Sequence, residues 1–90
     1  MLQTVSLHIE GKVQGVFYRQ STREKALALG ITGTVRNNAN GSVTITATGT
    51  PTQLEDLLQW SKKGPPAARV TAVTVQQESL QSFNDFRIVK

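Results

Sequence analysis

The chain contains no cysteine, and that absence removes several chemistries at once. No disulfide framework, thiolate nucleophile or thiolate-held metal is available to it. With no cysteine and one histidine, His8, a zinc site cannot be assembled. Aromatic residues are scarce, at 6% of the chain, which leaves little for a base-stacking surface. Long hydrophobic runs are missing too: Ala72–Val75 is interrupted by a threonine, and nothing approaches a bilayer-spanning segment. The opening MLQTVSLHIE shows neither the basic stretch nor the apolar core of a secretory signal. A cytoplasmic protein without membrane attachment is the expectation.

What remains is ordinary globular material. Ninety residues, 38% of them hydrophobic, suffice for one core, so residues 1–90 are expected to form a single domain, taken as a monomer. Ten lysines and arginines against six acids give a net charge of +4. Those cations are dispersed, with only Lys62 and Lys63 adjacent, which suits a small anion better than a nucleic acid.

Residues 4–10 alternate strictly, with Val5, Leu7 and Ile9 on one face and Thr4, Ser6, His8 and Glu10 on the other, as in a half-buried strand. A loop from Gly11 to Tyr18 leads into a helix over residues 19–29, where Thr22, Ala26 and Leu29 follow Tyr18 at helical spacing and Gly30 stops the run. Strands are predicted over residues 31–36 and 42–48, joined by a hairpin at Asn40-Gly41. In the second of these Val43, Ile45 and Ala47 face inward while Ser42, Thr44, Thr46 and Thr48 face out. Thr50, Pro51 and Gln53 form a capping box opening a second helix, with Leu54, Leu57, Leu58 and Ser61 inward and Trp60 on the flank. Gly64-Pro65-Pro66 ends it. Strands over 69–77 and 83–89 contain phase breaks that predict a bulge or a late start in each. The order is βαββαβ with an added C-terminal strand. Right-handed crossovers then give an α+β, ferredoxin-like sandwich: an antiparallel sheet with two helices on one face.

That topology makes the first two strands parallel, so the loop Gly11–Tyr18, the start of the first helix and the turn at Asn37 converge at one end of the sheet. Gly11 and Gly15 let backbone approach a ligand, and the helix start offers unpaired N–H groups and a positive dipole end. The first turn, where acids are favoured, instead holds Arg19, Gln20, Ser21, Thr22 and Arg23, with no acid before Glu24. A bound phosphate would relieve that repulsion. On these features alone a solvated Arg19 and ordinary loop glycines remain the simpler reading. Asn37, with Asn38, Asn40 and Gly41, suits a plain turn. His8 reads as a solvated residue, Glu55 and Asp56 as exposed helix charges, and Phe17 and Tyr18 as core or loop anchors.

The segment Gly11-Lys12-Val13-Gln14-Gly15-Val16-Phe17-Tyr18-Arg19 resembles the first signature of the acylphosphatase family. Gly33-Thr34-Val35-Arg36-Asn37, followed by Asn40-Gly41-Ser42-Val43, is similar to its second. Gly64 to Val70 and the closing Phe86-Arg87-Ile88 resemble its C-terminal half. The likeness covers nearly the whole chain. It implies metal-independent and cofactor-free hydrolysis of the carboxyl–phosphate bond of acyl phosphates, giving a carboxylate and inorganic phosphate. In that reading the amides of Gln14, Gly15, Val16, Phe17, Tyr18 and Arg19 cradle the phosphoryl oxygens, the Arg19 side chain holds the phosphate, and Asn37 orients the attacking water. Inorganic phosphate or sulfate would then compete with the substrate. Thr34 stands where the family often has a bulky aromatic, and Asn40 where it often has aspartate; neither is a family catalytic position.

The rival expectation is a non-catalytic module of the same fold that binds an anion or RNA, since this fold hosts many functions. An RNA-recognition surface needs aromatics on the outer face of the sheet. Here that face carries Thr4, Ser6, His8, Ser42, Thr44, Thr46 and Thr48.

Overall fold

The alternation that makes residues 4–10 a strand also decides which face of it is buried. The computed structural model describes residues 1–89. Its elements run β1 (Gln3–Lys12), α1 (Tyr18–Leu29), β2 (Thr32–Asn37), β3 (Val43–Gly49), α2 (Pro51–Ser61), β4 (Arg69–Glu78) and β5 (Phe86–Val89). The sheet order is β4-β1-β3-β2-β5. β1 pairs antiparallel with β3 and β4, and β3 antiparallel with β2, while β5 lies parallel to β2. The ferredoxin-like α+β sandwich is therefore as expected, with the added strand forming a parallel edge.

Register sets the apolar face. Val5 lies opposite Ala47, Leu7 opposite Ile45, Ile9 opposite Val43 and Val35 opposite Ile45. Tyr18 and Ala26 of α1 and Leu54 and Leu57 of α2 belong to the same buried core. Full burial of one such large apolar side chain contributes about 1.5–3 kcal/mol, so this shared face is the main reason both helices lie on one side. The capping box of α2 is present: Gln53 N–H donates to Thr50 Oγ1 at 3.2 Å, and Thr50 N–H donates to Gln53 Oε1 at 2.8 Å. No helix among the described residues is long and apolar enough to cross a membrane.

The phase breaks have the anticipated forms. Glu10 pairs with Ala72 but Gly11 with Val70, so β4 bulges at Thr71, and β5 starts late, at Phe86. Other expectations need correction. Thr4 and Thr48, read as outward, are buried. Their hydroxyls meet at 2.6 Å, Gln81 N–H donates to Thr4 Oγ1, and Thr48 Oγ1 donates to the Gln81 carbonyl, so the chain between β4 and β5 covers that corner of the sheet. Ser42 is buried as well, held by hydrogen bonds to Asn38 and Asn40. The β2–β3 turn spans Asn38–Gly41 rather than Asn40-Gly41 alone, closed by the Gly41 N–H on the Asn38 carbonyl at 3.1 Å. Asn40 Oδ1 accepts from both the N–H and the hydroxyl of Ser42, at 3.1 and 2.6 Å, a role an aspartate oxygen would fill equally. β1 runs on to Lys12, which places Gly11 inside a strand. A Cβ at Gly11 would sit 2.1 Å from the Arg69 carbonyl oxygen, so this glycine admits the neighbouring strand and not a ligand.

Candidate active site

Because β3 lies antiparallel to both β1 and β2, those two strands point the same way and end at the same edge of the sheet. The loop after β1, the first turn of α1 and Asn37 at the end of β2 surround a cleft of about 280 Å³. Gln14, Gly15, Phe17, Tyr18, Arg19 and Asn37 all line it, as the sequence led us to expect.

The backbone of this loop takes an unusual path for a local reason. Gly15 (φ 75°) and Phe17 (φ 64°) are left-handed, whereas Val16 between them is not. Left-handed residues in a short loop favour a concave nest of N–H groups, an arrangement that suits an anion. The nest runs directly into α1, whose N-cap, Phe17, makes no side-chain cap and whose first turn has no acid. The first N–H groups of the helix therefore stay free, at the positive end of its dipole.

Arg19 stands half-buried in that first turn. Among the described residues the only ion pair is Arg87 with Asp85 at 3.1 Å, so the Arg19 guanidinium has no carboxylate partner among them. A cation placed against the dipole is unfavourable by about 0.3–1 kcal/mol. An anion in the nest would remove that penalty and accept a bidentate contact from the planar fork.

Asn37 makes a second such vacancy. Its side-chain Oδ1 is buried and accepts no hydrogen bond from the described residues. Leaving a buried acceptor unpaired costs about 1–3 kcal/mol. The turn does not explain the residue, because its neighbours do that work: Asn38 Nδ2 donates to Ser42 Oγ and Thr44 Oγ1 at 2.9 and 2.8 Å, and Asn40 holds Ser42. Asn37 lines the cleft with its side chain not taken up by the turn.

Two further side chains fix these parts relative to one another. Gln14 Nε2 donates to the carbonyls of Asn38 and Ser42, at 2.8 and 2.9 Å, tying the cradle loop to the turn that follows Asn37. The Tyr18 hydroxyl donates to the Ser61 carbonyl at 2.7 Å, and its ring lies 5.6 Å from that of Trp60. Burial pushes the Tyr18 pKa well up, so the phenol remains a donor. Tyr18 is thus the anchor expected of it.

Phe17 is not. It is 80% exposed, the one aromatic among the exposed large apolar side chains of the described residues. Val16, counted with the cradle, does not line the cleft; its side chain is buried in the core, leaving only its amide available. Val13, Gln20 and Ile88 also line the cleft and were not anticipated. Val13 lies within the first signature segment, and Gln20 directly follows it. Ile88 arrives only because β5 pairs beside β2, with Ile88 opposite Val35, and no local pattern announces that pairing. His8 lies half-buried on the outer face, and no cluster of metal-ligating side chains occurs among the described residues.

Comparison with known proteins agrees with this geometry. The acylphosphatase family model matches residues 5–88. An acylphosphatase of Acaryochloris marina is 52% identical over 82 residues, covering 91% of this chain and 88% of the relative. The structure of an acylphosphatase from Coxiella burnetii superimposes with a TM-score of 0.95 at 36% identity, over 98% of this chain and 93% of that one. The crystal structure of acylphosphatase from Bacillus subtilis gives 0.95 at 32% identity, over the full length of both.

Proposed function

The chain belongs to the acylphosphatase family, and from that premise we propose that this cleft hydrolyses acyl phosphates through Arg19 and Asn37. The phosphoryl group lies in the nest formed by residues 14–19, where the amides and the helix dipole meet its charge. The Arg19 fork grips two of its oxygens. The Asn37 side-chain amide holds a water by hydrogen bonding and aims it at phosphorus. Water adds to phosphorus as the bond between phosphorus and the acyl oxygen breaks; the carboxylate leaves, and the phosphoryl oxygens take up the proton. Phosphoryl transfer runs through a loose transition state, so position and charge stabilisation can carry the reaction. The observation that carries this reading is the buried Asn37 Oδ1, unpaired among the described residues, in the same cleft as an arginine with no carboxylate partner among them.

Every group in the scheme comes from one chain, so a monomer suffices, and no step calls for a metal. Turnover of benzoyl phosphate is expected to survive EDTA unchanged. Activity lost to the chelator and returned by Mg²⁺ would exclude the scheme.

The cradle also binds the product anion. Inorganic phosphate or sulfate is expected to inhibit competitively and to raise the melting temperature, because only the folded chain presents the nest. At one hundred times the dissociation constant the gain is about 2.7 kcal/mol. The rise should disappear in Arg19→Ala. Equal stabilisation of both proteins by phosphate would place the anion somewhere else.

A further inference from the structure

Phe17 combines two costs that nothing in the fold repays. It is the only non-glycine residue with positive φ among the described residues, and its ring is 80% exposed. A glycine would adopt φ 64° more readily, and a ring so exposed adds little to the core. Strained residues of this kind concentrate where a ligand is held. The ring stands at the cradle that receives the phosphate. Of the other apolar side chains lining the cleft, Val13 and Tyr18 are each 1% exposed, whereas Ile88, on the edge strand β5, is 38% exposed. The apolar surface of the cleft that a ligand can touch is therefore concentrated in Phe17 and Ile88, which enter from different elements.

We propose that Phe17 and Ile88 form the acyl-binding shelf of this enzyme, selecting aromatic and bulky aliphatic acyl phosphates over acetyl phosphate. The inference rests on the acylphosphatase reading and adds to it the class of acyl group. With the phosphoryl oxygens drawn onto the amides, the acyl end must extend away from them toward the cleft mouth. There it meets a phenyl face and a branched aliphatic side chain. Among the described residues no carboxylate lines the cleft, and the one formal charge there, Arg19, is engaged by the phosphate. An apolar acyl group buries both side chains, while an acetyl group reaches neither fully. Such contacts hold ground and transition states alike, so their loss should appear in KM more than in kcat.

The test is the ratio of kcat/KM for benzoyl phosphate to that for acetyl phosphate, in wild type, Phe17→Gly, Phe17→Tyr and Ile88→Ala. Wild type should favour benzoyl phosphate. Phe17→Gly should lower the ratio about tenfold, chiefly through KM, and Ile88→Ala about threefold. Phe17→Tyr, which keeps the ring, should keep the ratio near that of wild type whatever it does to the absolute rates. Phe17→Gly should melt no lower than wild type, because the left-handed conformation then costs nothing, so misfolding cannot explain the change. An unchanged ratio in both Phe17→Gly and Ile88→Ala would overturn the shelf. Equal loss on the two substrates would also overturn it, and would show that Phe17 serves only the cradle backbone. Failure of wild type to hydrolyse either substrate would refute the family reading itself, before any variant is compared.

Discussion

Arg19→Ala is expected to fold normally and to lose about 10³-fold or more in kcat/KM toward acyl phosphates. The loss follows from what the loose transition state requires: charge spread over three phosphoryl oxygens and little covalent help. Arg19 is the only cationic side chain among the described residues that line the cleft. Stability should hold or rise slightly, since the variant removes a cation from the positive end of α1. Arg19→Lys should fail nearly as badly, because an ammonium is a point charge and cannot span two oxygens with a planar fork. Steady-state kinetics and a melting curve on the same preparations decide this. Substantial turnover by the lysine variant would remove the bidentate contact from the account.

Asn37→Ala separates chemistry from binding. Its expected loss is about 10²–10³ in kcat, near 3–4 kcal/mol, as for removal of one preorganised polar contact. Inhibition by inorganic phosphate should stay within about threefold of wild type, because Arg19 and the amides hold the anion in both states. The fold should tolerate the change unusually well. The hairpin hydrogen bonds belong to Asn38 and Asn40, and the deleted Oδ1 has no partner to leave behind. A melting temperature equal to or above wild type, with turnover gone, is the expected pair of results. Near-wild-type activity would reduce Asn37 to a strand terminus, and loss of phosphate binding along with turnover would make it a substrate ligand.

How far the sequence could reach depended on whether a feature is written locally. The capping box Thr50-Pro51-Thr52-Gln53 is a local pattern, and it appears intact. The convergence of the loop after β1 with Asn37 was also legible, because parallel strands one place apart must end together. The covering of Thr4 and Thr48 was not, since the chain around Gln81 reaches them from far along the sequence and without a repeating pattern. Ile88 was missed for a related reason: which strand the last segment pairs with is a matter of sheet order. Phe17 shows a different limit. Hydrophobicity argues for burial, and only the left-handed backbone of the nest turns that ring out to solvent. Gly11 looked like part of the ligand cradle, yet its freedom is used by the carbonyl of Arg69 across the strand pair.

The central claim is that water, aimed from Asn37, attacks phosphorus while Arg19 and the loop amides hold the phosphoryl group. Hydrolysis of benzoyl phosphate in ¹⁸O-labelled water, with mass analysis of both products, tests it most directly. The account predicts one solvent oxygen in the inorganic phosphate and none in the benzoate. Label in the benzoate would mean attack at the acyl carbon, and would contradict the mechanism built on this cleft.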